Sequence, residues 1–386
     1  MTEPIYLDFN ATTPIAEEAR LAMDEAARSA WGNPSSAHAL GVRARRIVEK
    51  ARERVAALLG APPGDVVFTG GGTESDNAAV LGVAAAMRAR GRTIVITAIE
   101  HPAVEAAAAR LEREGFTAVR VRVDGSGRVR LDELERALGR DAVLLSIMHA
   151  NNETGVIQPV REAARLARAR GIVVHTDAAQ SAGKIPVRVD DLGVDLLTLA
   201  GHKLYAPKGV GALYVRSGTP FEPLLVGGGQ EGGRRAGTEN IPGIAALGAA
   251  CALALEESGT RLERLRATRD RLERALKERS PGIVVHGAGA ERLPNTLSVA
   301  IPGADANLLL ARIEGVAASA GAACHSGGTE PSRVLLAMGI GEEAARSTLR
   351  LSTGRSTTID EVERAADRIA EAVRGTPPPP AGGPCG

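Results

Sequence analysis

Residues 172–203 read IVVHTDAAQSAGKIPVRVDDLGVDLLTLAGHK and contain two apolar strand candidates, Ile172–His175 and Leu196–Leu199. A short apolar run bounded by polar residues is typical of a strand buried on both faces, as in a parallel sheet. Polar residues follow each run at once, among them Asp177 and Lys203. Because ligands bind beyond the carboxyl ends of the strands in open α/β sheets, this stretch predicts a parallel sheet with a ligand site at that edge.

Strand-like and helical segments alternate from about residue 17 to residue 215. The other strand candidates are 65–69, 93–97, 117–123, 142–147 and 211–215, and the clearest amphipathic helices are 38–59, 103–114 and 160–170. Buried strands that alternate with helices favour a sheet wound by right-handed crossovers. The sequence therefore predicts an α/β fold with a mostly parallel seven-stranded sheet flanked by helices.

Composition changes after this unit. A stretch rich in glycine and proline, 217–243, precedes a long Arg/Glu/Leu helix at about 259–279 and a second α+β unit. We expect a large domain at 15–257, a small α+β domain formed by 1–14 and 258–373, and a disordered tail at 374–386, where four prolines follow one another.

Charge and composition exclude several classes of protein. The 386 residues include 47 basic and 46 acidic side chains, so no broad field favours nucleic acid or an anionic membrane. We find no apolar run of about 18 residues and no N-terminal signal, which favours a cytoplasmic protein. Aromatic residues make up 2%, too few for base-stacking platforms. Three scattered cysteines predict neither a disulfide framework nor a metal site.

Lysine is rare in this sequence. Five of the 47 basic residues are lysines and the other 42 are arginines, so arginine is the usual carrier of charge. A lysine kept in a glycine-rich, apolar stretch then indicates a need for an amine, which favours Lys203 and Lys208. A solvated charge remains the simpler interpretation of Lys50 and Lys277.

The segment after the strand candidate at 65–69 is Gly70-Gly71-Gly72-Thr73 and opens a helix. Glycines let the backbone approach an anion, and a helix N-terminus supplies free N–H groups. The segment is neither a Walker loop nor a dinucleotide fingerprint. It predicts a phosphate cup, although a helix cap with a tight turn fits equally well.

Polar side chains at successive strand ends match the needs of an aldehyde cofactor built on a pyridine ring. Such a cofactor needs an amine for a Schiff base, a carboxylate at the ring nitrogen, a flat group on the ring face, amides at the ring hydroxyl and a phosphate cup. The candidates are Lys203, Asp177, His101, Asn152 with Gln180, and Gly71, Gly72 and Thr73 with His202. Each residue alone could be structural; their joint placement favours a site.

A different group lies in the second unit, where Cys324 is the centre of a small-residue segment, 318–329. Such a segment packs little side-chain surface, so its thiol could reach a bound ligand and swing away. His325 could lower the pKa of the Cys324 thiol. The alternative is a small buried hydrophobe. Cys251, inside an Ala/Leu pattern, fits that alternative well, and Cys385 lies in the tail.

With these motifs in order, the sequence resembles the NifS/IscS-type cysteine desulfurases, in the class V aminotransferase group of fold-type I pyridoxal-phosphate enzymes. The matching segments are 6–14, 31–36, 72–77, 151–155, 175–180, 201–203, 234–240 and the Cys324 segment. The resemblance covers nearly the whole chain, to about residue 373.

The resemblance implies roles for individual residues. Lys203 would form the Schiff base and move a proton at the substrate α-carbon, while His101 would stack on the ring and assist in acid–base steps. Thr238 would reach across a two-fold interface to the partner's phosphate, which makes the enzyme a homodimer. Arg350 would bind the substrate carboxylate, with Asn33 nearby.

In the same resemblance, Cys324 would attack the sulfur of L-cysteine, keep it as a persulfide and release alanine. The sulfur would then pass to an acceptor protein or a small thiol, for iron–sulfur cluster assembly or thiolation. No direct contact with membranes or nucleic acids is expected.

Two positions depart from the family pattern. Ala200 stands where the family often has a serine that binds the phosphate, and Pro102 follows His101 where subgroups have lysine or aspartate. The segment Ala323–Ser326 also resembles selenocysteine lyases, which keeps selenocysteine as a rival substrate. A class V aminotransferase, which would need no cysteine at 324, and a catalytically inactive scaffold are more distant alternatives.

Overall fold

The computed structural model describes residues 3–321 and 330–374. The strands are β1 Ile5–Tyr6, β2 Val66–Thr69, β3 Thr93–Thr97, β4 Thr117–Val121, β5 Ala142–Ser146, β6 Val173–Asp177, β7 Leu196–Ala200, β8 Gly211–Val215, β9 Val284–Val285, β10 Thr296–Ala300, β11 Val316–Ala317, β12 Ser319–Ala320 and β13 Thr348–Ser352.

The helices are α1 Glu17–Ser29, α2 Ala39–Leu59, α3 Gly72–Met87, α4 Pro102–Arg113, α5 Leu131–Ala137, α6 Val160–Arg168, α7 Val189–Leu192, α8 Ile241–Glu256, α9 Ser258–Arg279, α10 Ala306–Arg312, α11 Arg333–Ala337, α12 Glu342–Arg346 and α13 Ile359–Arg374. Short 3-10 turns lie at Pro63–Asp65, Gly201–Lys203 and Gln230–Gly233.

The central sheet has seven strands in the order β2-β8-β7-β6-β5-β3-β4. All neighbouring pairs are parallel except those of β8, which runs antiparallel to both β2 and β7. The prediction of a mostly parallel seven-stranded α/β sheet is confirmed. The sequence pattern did not indicate the reversed strand, because direction depends on the connection and not on the apolar run itself.

Side chains of this sheet are buried on both faces. Val66 and Phe68 pack with α1, α2 and α8 on one face, and Val67 packs with α3 and α4 on the other. This alternation follows from the two-residue period of a strand. Because both faces of the sheet are covered, polar side chains can meet a ligand only at its edges. In open α/β sheets, ligands bind beyond the carboxyl ends of the strands, so we expect the site there.

One predicted boundary is corrected. β6 continues two residues beyond His175 to Asp177, so His175 lies inside the sheet. The stretch rich in glycine and proline, 217–243, leads into α8, which begins at Ile241, where the Asn240 side chain accepts a hydrogen bond from Gly243 N and caps the helix. The predicted helix at 259–279 is confirmed as α9.

A second sheet, of order β12-β13-β10-β9, is antiparallel. It shares an apolar cluster with α9 and α13, through residues such as Leu272 and Ile369. Ile5 and Leu7 pack in the same cluster, because β1 pairs with β11 and Asp8 forms a bridge with Ser352. The exact domain boundaries stay a prediction, and the tail beyond Arg374 lies outside the described residues.

Between residues 3 and 321 and from 330 to 374, no single helix has both the length and the apolar composition needed to cross a bilayer. Helices α8 and α9 meet that test only when taken together, and the chain bends by 79° between them.

Candidate active site

A cavity of about 760 Å³ opens at the carboxyl ends of the parallel strands. The predicted site residues that line it are Gly72, Thr73, His101, Asn152, Asp177, Gln180, His202, Lys203 and Arg350. They come from the loops after β2, β3, β5, β6 and β7 and from β13 of the second sheet. The structure thus brings together side chains that are far apart in the sequence.

Lys203 ends the 3-10 turn that follows β7. Its Nζ donates hydrogen bonds to the main-chain oxygens of Asn10, at 2.5 Å, and Ala11, at 2.7 Å. Burial, followed by the positive charge of Arg350, lowers the pKa of the Lys203 amine to about 8. A useful fraction of neutral amine, the form that attacks a carbonyl, is therefore present near neutral pH.

Asp177 is the last residue of β6, and its Oδ1 accepts a hydrogen bond from Ala179 N at 2.8 Å. Burial raises the pKa of the Asp177 carboxyl, while electrostatic interactions with His101 and Lys203 and the hydrogen bond from Ala179 N oppose that rise. Two further buried carboxyls, Asp76 and Glu100, lie close enough to interact with it. A carboxyl in this setting is suited to share a proton with a basic ring nitrogen.

The predicted phosphate cup lies at the start of α3, which begins at Gly72. A side chain at Gly72 would come within 3.1 Å of Ala200 Cβ, so the first turn packs directly on the end of β7. Glu74 braces the cup, since its Oε2 accepts from Gly70 N at 2.7 Å and its Oε1 pairs with Arg235 at 2.8 Å. The N–H groups of the first turn are the donors that a phosphate would need.

The two cavity histidines are both fixed at one ring nitrogen. His101 caps α4, with Nδ1 accepting from Ala103 N at 3.2 Å, so in the neutral ring the proton is on Nε2. His202 Nδ1 lies 3.2 Å from Thr12 Oγ1. Burial lowers the pKa of His202 to about 4, so this ring is neutral at physiological pH.

Arg350 reaches the cavity from β13. Its Nη2 donates to Asp8 Oδ1 at 2.8 Å and to Ser319 Oγ at 3.1 Å, and its Nη1 donates to Asn152 O at 3.3 Å. Within the described residues the buried Nε has no hydrogen-bond partner. A fixed guanidinium at the cavity wall is suited to bind a carboxylate.

Three predicted residues do not line this cavity. Asn33 is exposed, and its side chain accepts from Ser35 N at 2.9 Å. Thr238 is exposed on the segment before α8. Cys324 lies outside the described residues. The roles of these three residues, like those of the residues that do line the cavity, stay predictions.

Sequence reasoning missed Asn10 and Lys184. Asn10 lines the cavity, and its main-chain oxygen accepts hydrogen bonds from both Lys203 and Gln180. Lys184 is buried behind them. The scarcity of lysine in the sequence was the one signal that could have pointed to Lys184. The pattern of apolar and polar residues around it does not indicate that it is buried.

Other strand-end residues are structural. His175 lies inside the sheet, with Ser146 Oγ at 2.9 Å from Nδ1 and Thr198 Oγ1 at 3.0 Å from Nε2. Burial lowers the pKa of His175 to about 3. Cys251 is fully buried in α8, as predicted. In the described part of the chain, no cluster of three or more His, Cys, Asp or Glu residues could hold a metal.

The comparisons with known proteins agree with this geometry. The aminotransferase class-V family model matches residues 5–365. "Cysteine desulfurase IscS" of Dictyoglomus turgidum is 43% identical over 97% of this chain and 96% of its own length. "Cysteine desulfurase IscS" of Anaeromyxobacter sp. (strain Fw109-5) is 45% identical over 97% of this chain and 93% of its own length.

Solved structures give the same result. A NifS-like protein superposes with a TM-score of 0.90 at 38% identity, over 96% of this chain and 99% of that one. The structure described as SspA in complex with cysteine gives a TM-score of 0.81 at 34% identity, over 91% of this chain and 98% of that one. Both the fold and the predicted family are confirmed, and the chain belongs to the aminotransferase class-V family.

Proposed function

We propose that this protein is a pyridoxal-phosphate-dependent cysteine desulfurase that converts L-cysteine to L-alanine and transfers the sulfur to Cys324. The observation that carries the proposal is the pairing, in one cavity, of the Lys203 amine with the Asp177 carboxyl beside a helix N-terminus. Relatives named cysteine desulfurase support this function over the selenocysteine lyase and aminotransferase alternatives.

The residues present fit pyridoxal phosphate. Lys203 Nζ would take the aldehyde, Asp177 the ring nitrogen, and the first turn of α3 with Thr73 and His202 the phosphate. The amides of Asn152 and Gln180 would bind the ring hydroxyl, and His101 would cover the ring. When bound, this cofactor supplies an electron-withdrawing ring that accepts the electron pair released at the substrate α-carbon.

The chain's own residues would then bind and activate the substrate. Arg350 would hold the substrate carboxylate, which orients the α-carbon toward Lys203. Lys203 Nζ would remove the α-proton and later return a proton to the product. These assignments come from the family resemblance, and the lowered pKa of the Lys203 amine and the fixed position of the guanidinium support them.

The transfer of sulfur to Cys324 needs no added oxidant, because the carbon of the substrate is reduced as the sulfur is oxidised. The Cys324 thiolate attacks the substrate sulfur, the bond between Cβ and sulfur breaks, and its electron pair stays with the carbon. Protonation of that carbon gives alanine, and Cys324 keeps the sulfur as a persulfide. A thiol or an acceptor protein then removes it.

Thr238 supports a homodimer in this proposal. It is exposed and does not line the cavity of its own chain, as expected for a residue that contributes to the partner's phosphate cup. Trp31 and Val226, 71% and 82% exposed, provide apolar surface for such a contact.

The test is to incubate the purified protein with cysteine and with selenocysteine separately and to measure alanine, sulfide and selenide, with and without a thiol. We expect sulfide and alanine in equal amounts from cysteine, and loss of both in Cys324→Ser, which should still bind the cofactor. Cys385→Ser, in the tail, is the matched control. Full cysteine desulfuration by Cys324→Ser would refute the persulfide mechanism, and a preparation unable to bind pyridoxal phosphate would refute the whole proposal.

A further inference from the structure

Lys184 is a buried lysine beside the site, on the segment between β6 and α7. It is 8% exposed and is not among the residues that line the cavity. Its Nζ donates to Asn10 Oδ1 at 2.9 Å and to Gln180 Oε1 at 3.0 Å. Both acceptors belong to side chains that do line the cavity. Lys184 therefore acts on the site through two neutral amides.

The contact with Lys184 determines which end of the Gln180 amide faces which neighbour. Gln180 Nε2 donates to the main-chain oxygen of Asn10 at 2.9 Å, while its Oε1 accepts from Lys184. If the Gln180 amide were reversed, its oxygen would face the main-chain oxygen of Asn10, and its nitrogen would face the Lys184 amine. The contact with Asn10 uses one of the two N–H groups on Nε2, which leaves the second for a ligand.

Asn10 is held in the same way. Its Oδ1 accepts from Lys184 and from Asn295 Nδ2, at 3.1 Å, and its Nδ2 donates to Thr296 Oγ1 at 2.8 Å. The main-chain oxygen of this residue is the one that accepts from Lys203 Nζ. Lys184 thus stabilises both the Gln180 amide, which faces the cavity, and Asn10, whose main-chain oxygen accepts from the Lys203 amine.

Burial of a lysine at this position is unfavourable by itself. The ion pairs formed by the described residues do not include Lys184, and the charged groups that act on it are two cations, Lys203 and Arg350. Burial, with these two charges, lowers the pKa of the Lys184 amine well below its ordinary value. An apolar side chain of similar size would fill the space without that cost, so the amine group itself has a use.

We propose that Lys184 is a positioning residue, which fixes the amide of Gln180 with its nitrogen toward the phenolic oxygen of the bound cofactor. The inference rests on the proposed function, because it requires pyridoxal phosphate in the cavity. Lys184 has no contact with the reacting atoms in this arrangement. Its effect passes through Gln180 and Asn10.

The test uses the cofactor-loaded protein and the pH midpoint of its visible absorption band. A hydrogen bond donated to the phenolic oxygen favours its anionic form, so its loss makes that oxygen more basic and raises the midpoint. We expect Lys184→Met to raise the midpoint by about one pH unit and to weaken cofactor binding about fivefold. Lys50→Met, on the exposed face of α2, is the matched control and should change neither value.

A double-mutant cycle separates positioning from a general structural effect. If Lys184 acts through Gln180, then Lys184→Met should add little to the shift already present in Gln180→Ala. Equal shifts in both backgrounds, or a midpoint unchanged in Lys184→Met, would overturn the inference. If Lys184→Met does not fold, Lys184→Ala, which also removes the donor, replaces it in the same cycle. Absence of any cofactor band in the unmodified protein would instead count against the proposed function.

Discussion

The guanidinium of Arg350 donates a hydrogen bond to the carboxylate of Asp8 at 2.8 Å, which ties β13 of the second sheet to the N-terminal segment. That segment continues directly to Asn10 and Ala11, whose carbonyl oxygens accept from Lys203. The proposed substrate-binding group and the proposed reactive amine are therefore positioned by one stretch of chain.

We expect Arg350→Lys to raise the KM for cysteine about tenfold or more, because an ammonium cannot make the two-pronged contact with a carboxylate. Asp8→Asn should have a smaller effect, since its amide oxygen still accepts from Arg350. Alanine formation measured against cysteine concentration checks both. Arg346→Lys, a surface arginine near Glu342 on α12, is the control. A KM unaffected by Arg350→Lys would remove Arg350 from the substrate site.

The rate at which cofactor-free protein captures pyridoxal phosphate should rise with pH and level off above pH 8. The neutral amine is the nucleophile, and the pKa of the Lys203 amine is lowered to about 8. Borohydride trapping at a series of pH values, followed by mass spectrometry of the Lys203 peptide, measures this rate. Lys203→Ala should abolish the cofactor label on this peptide. Lys208→Ala should leave unchanged the pH at which the capture rate is half of its maximum. A midpoint near 10.5, the ordinary value for lysine, would contradict the prediction.

Glu100→Gln should stabilise the cofactor-free protein more at pH 8 than at pH 5. Burial raises the pKa of Glu100 from 4.5 to about 8, so the folded state holds a proton that the unfolded state has lost in this window. Stability is therefore lost as pH rises from 4.5 to 8, and glutamine, which cannot ionise, removes that loss. We expect the gain in unfolding free energy to grow by about 3.5 kcal/mol between the two pH values, which is about 1.36 kcal/mol per pKa unit applied to a carboxyl that titrates at 4.5 in the unfolded state and at about 8 in the folded state.

Urea unfolding at pH 5 and pH 8 measures this difference. Glu135→Gln, an exposed glutamate paired with Arg170, is the control and should show the same small change at both pH values. If Glu100→Gln also gives equal changes at the two pH values, its carboxyl does not titrate as argued.

Ala200→Ser should tighten the binding of pyridoxal phosphate by about fivefold, since it adds one hydroxyl donor at the cup. Ala200 lines the cavity, and its Cβ faces the first turn of α3 at Gly72. Thr73→Val, which removes a hydroxyl from the same turn without changing size, should weaken binding by a similar factor. Equilibrium titration of the apo protein measures both. Weaker binding by Ala200→Ser, at unchanged thermal stability, would show that the new side chain clashes with the cup.

Much of the fold was predictable because its signals are local. Each of the seven strands of the central sheet was located to within two residues, since apolar runs bounded by polar residues need no knowledge of distant contacts. The predicted end of β6 was two residues too early, because Thr176 and Asp177 are polar and were assigned to the following loop. They belong to the strand because β7 pairs with them, which is a long-range property.

The sequence by itself determined the order of strands and helices and the polar residues at the strand ends, including Lys203 and Asp177, because periodicity and the carboxyl-edge rule act over short stretches of chain. Only the tertiary structure decided that Asn10 and Lys184 lie beside those strand ends, that Arg350 reaches them from β13 of the second sheet, and that His175 does not take part. Their positions depend on β1 pairing with β11 and on β13 lying beside the N-terminal segment. Contacts between residues more than a hundred positions apart leave no periodic trace in a single sequence, and burial of a lone lysine depends on all its neighbours at once.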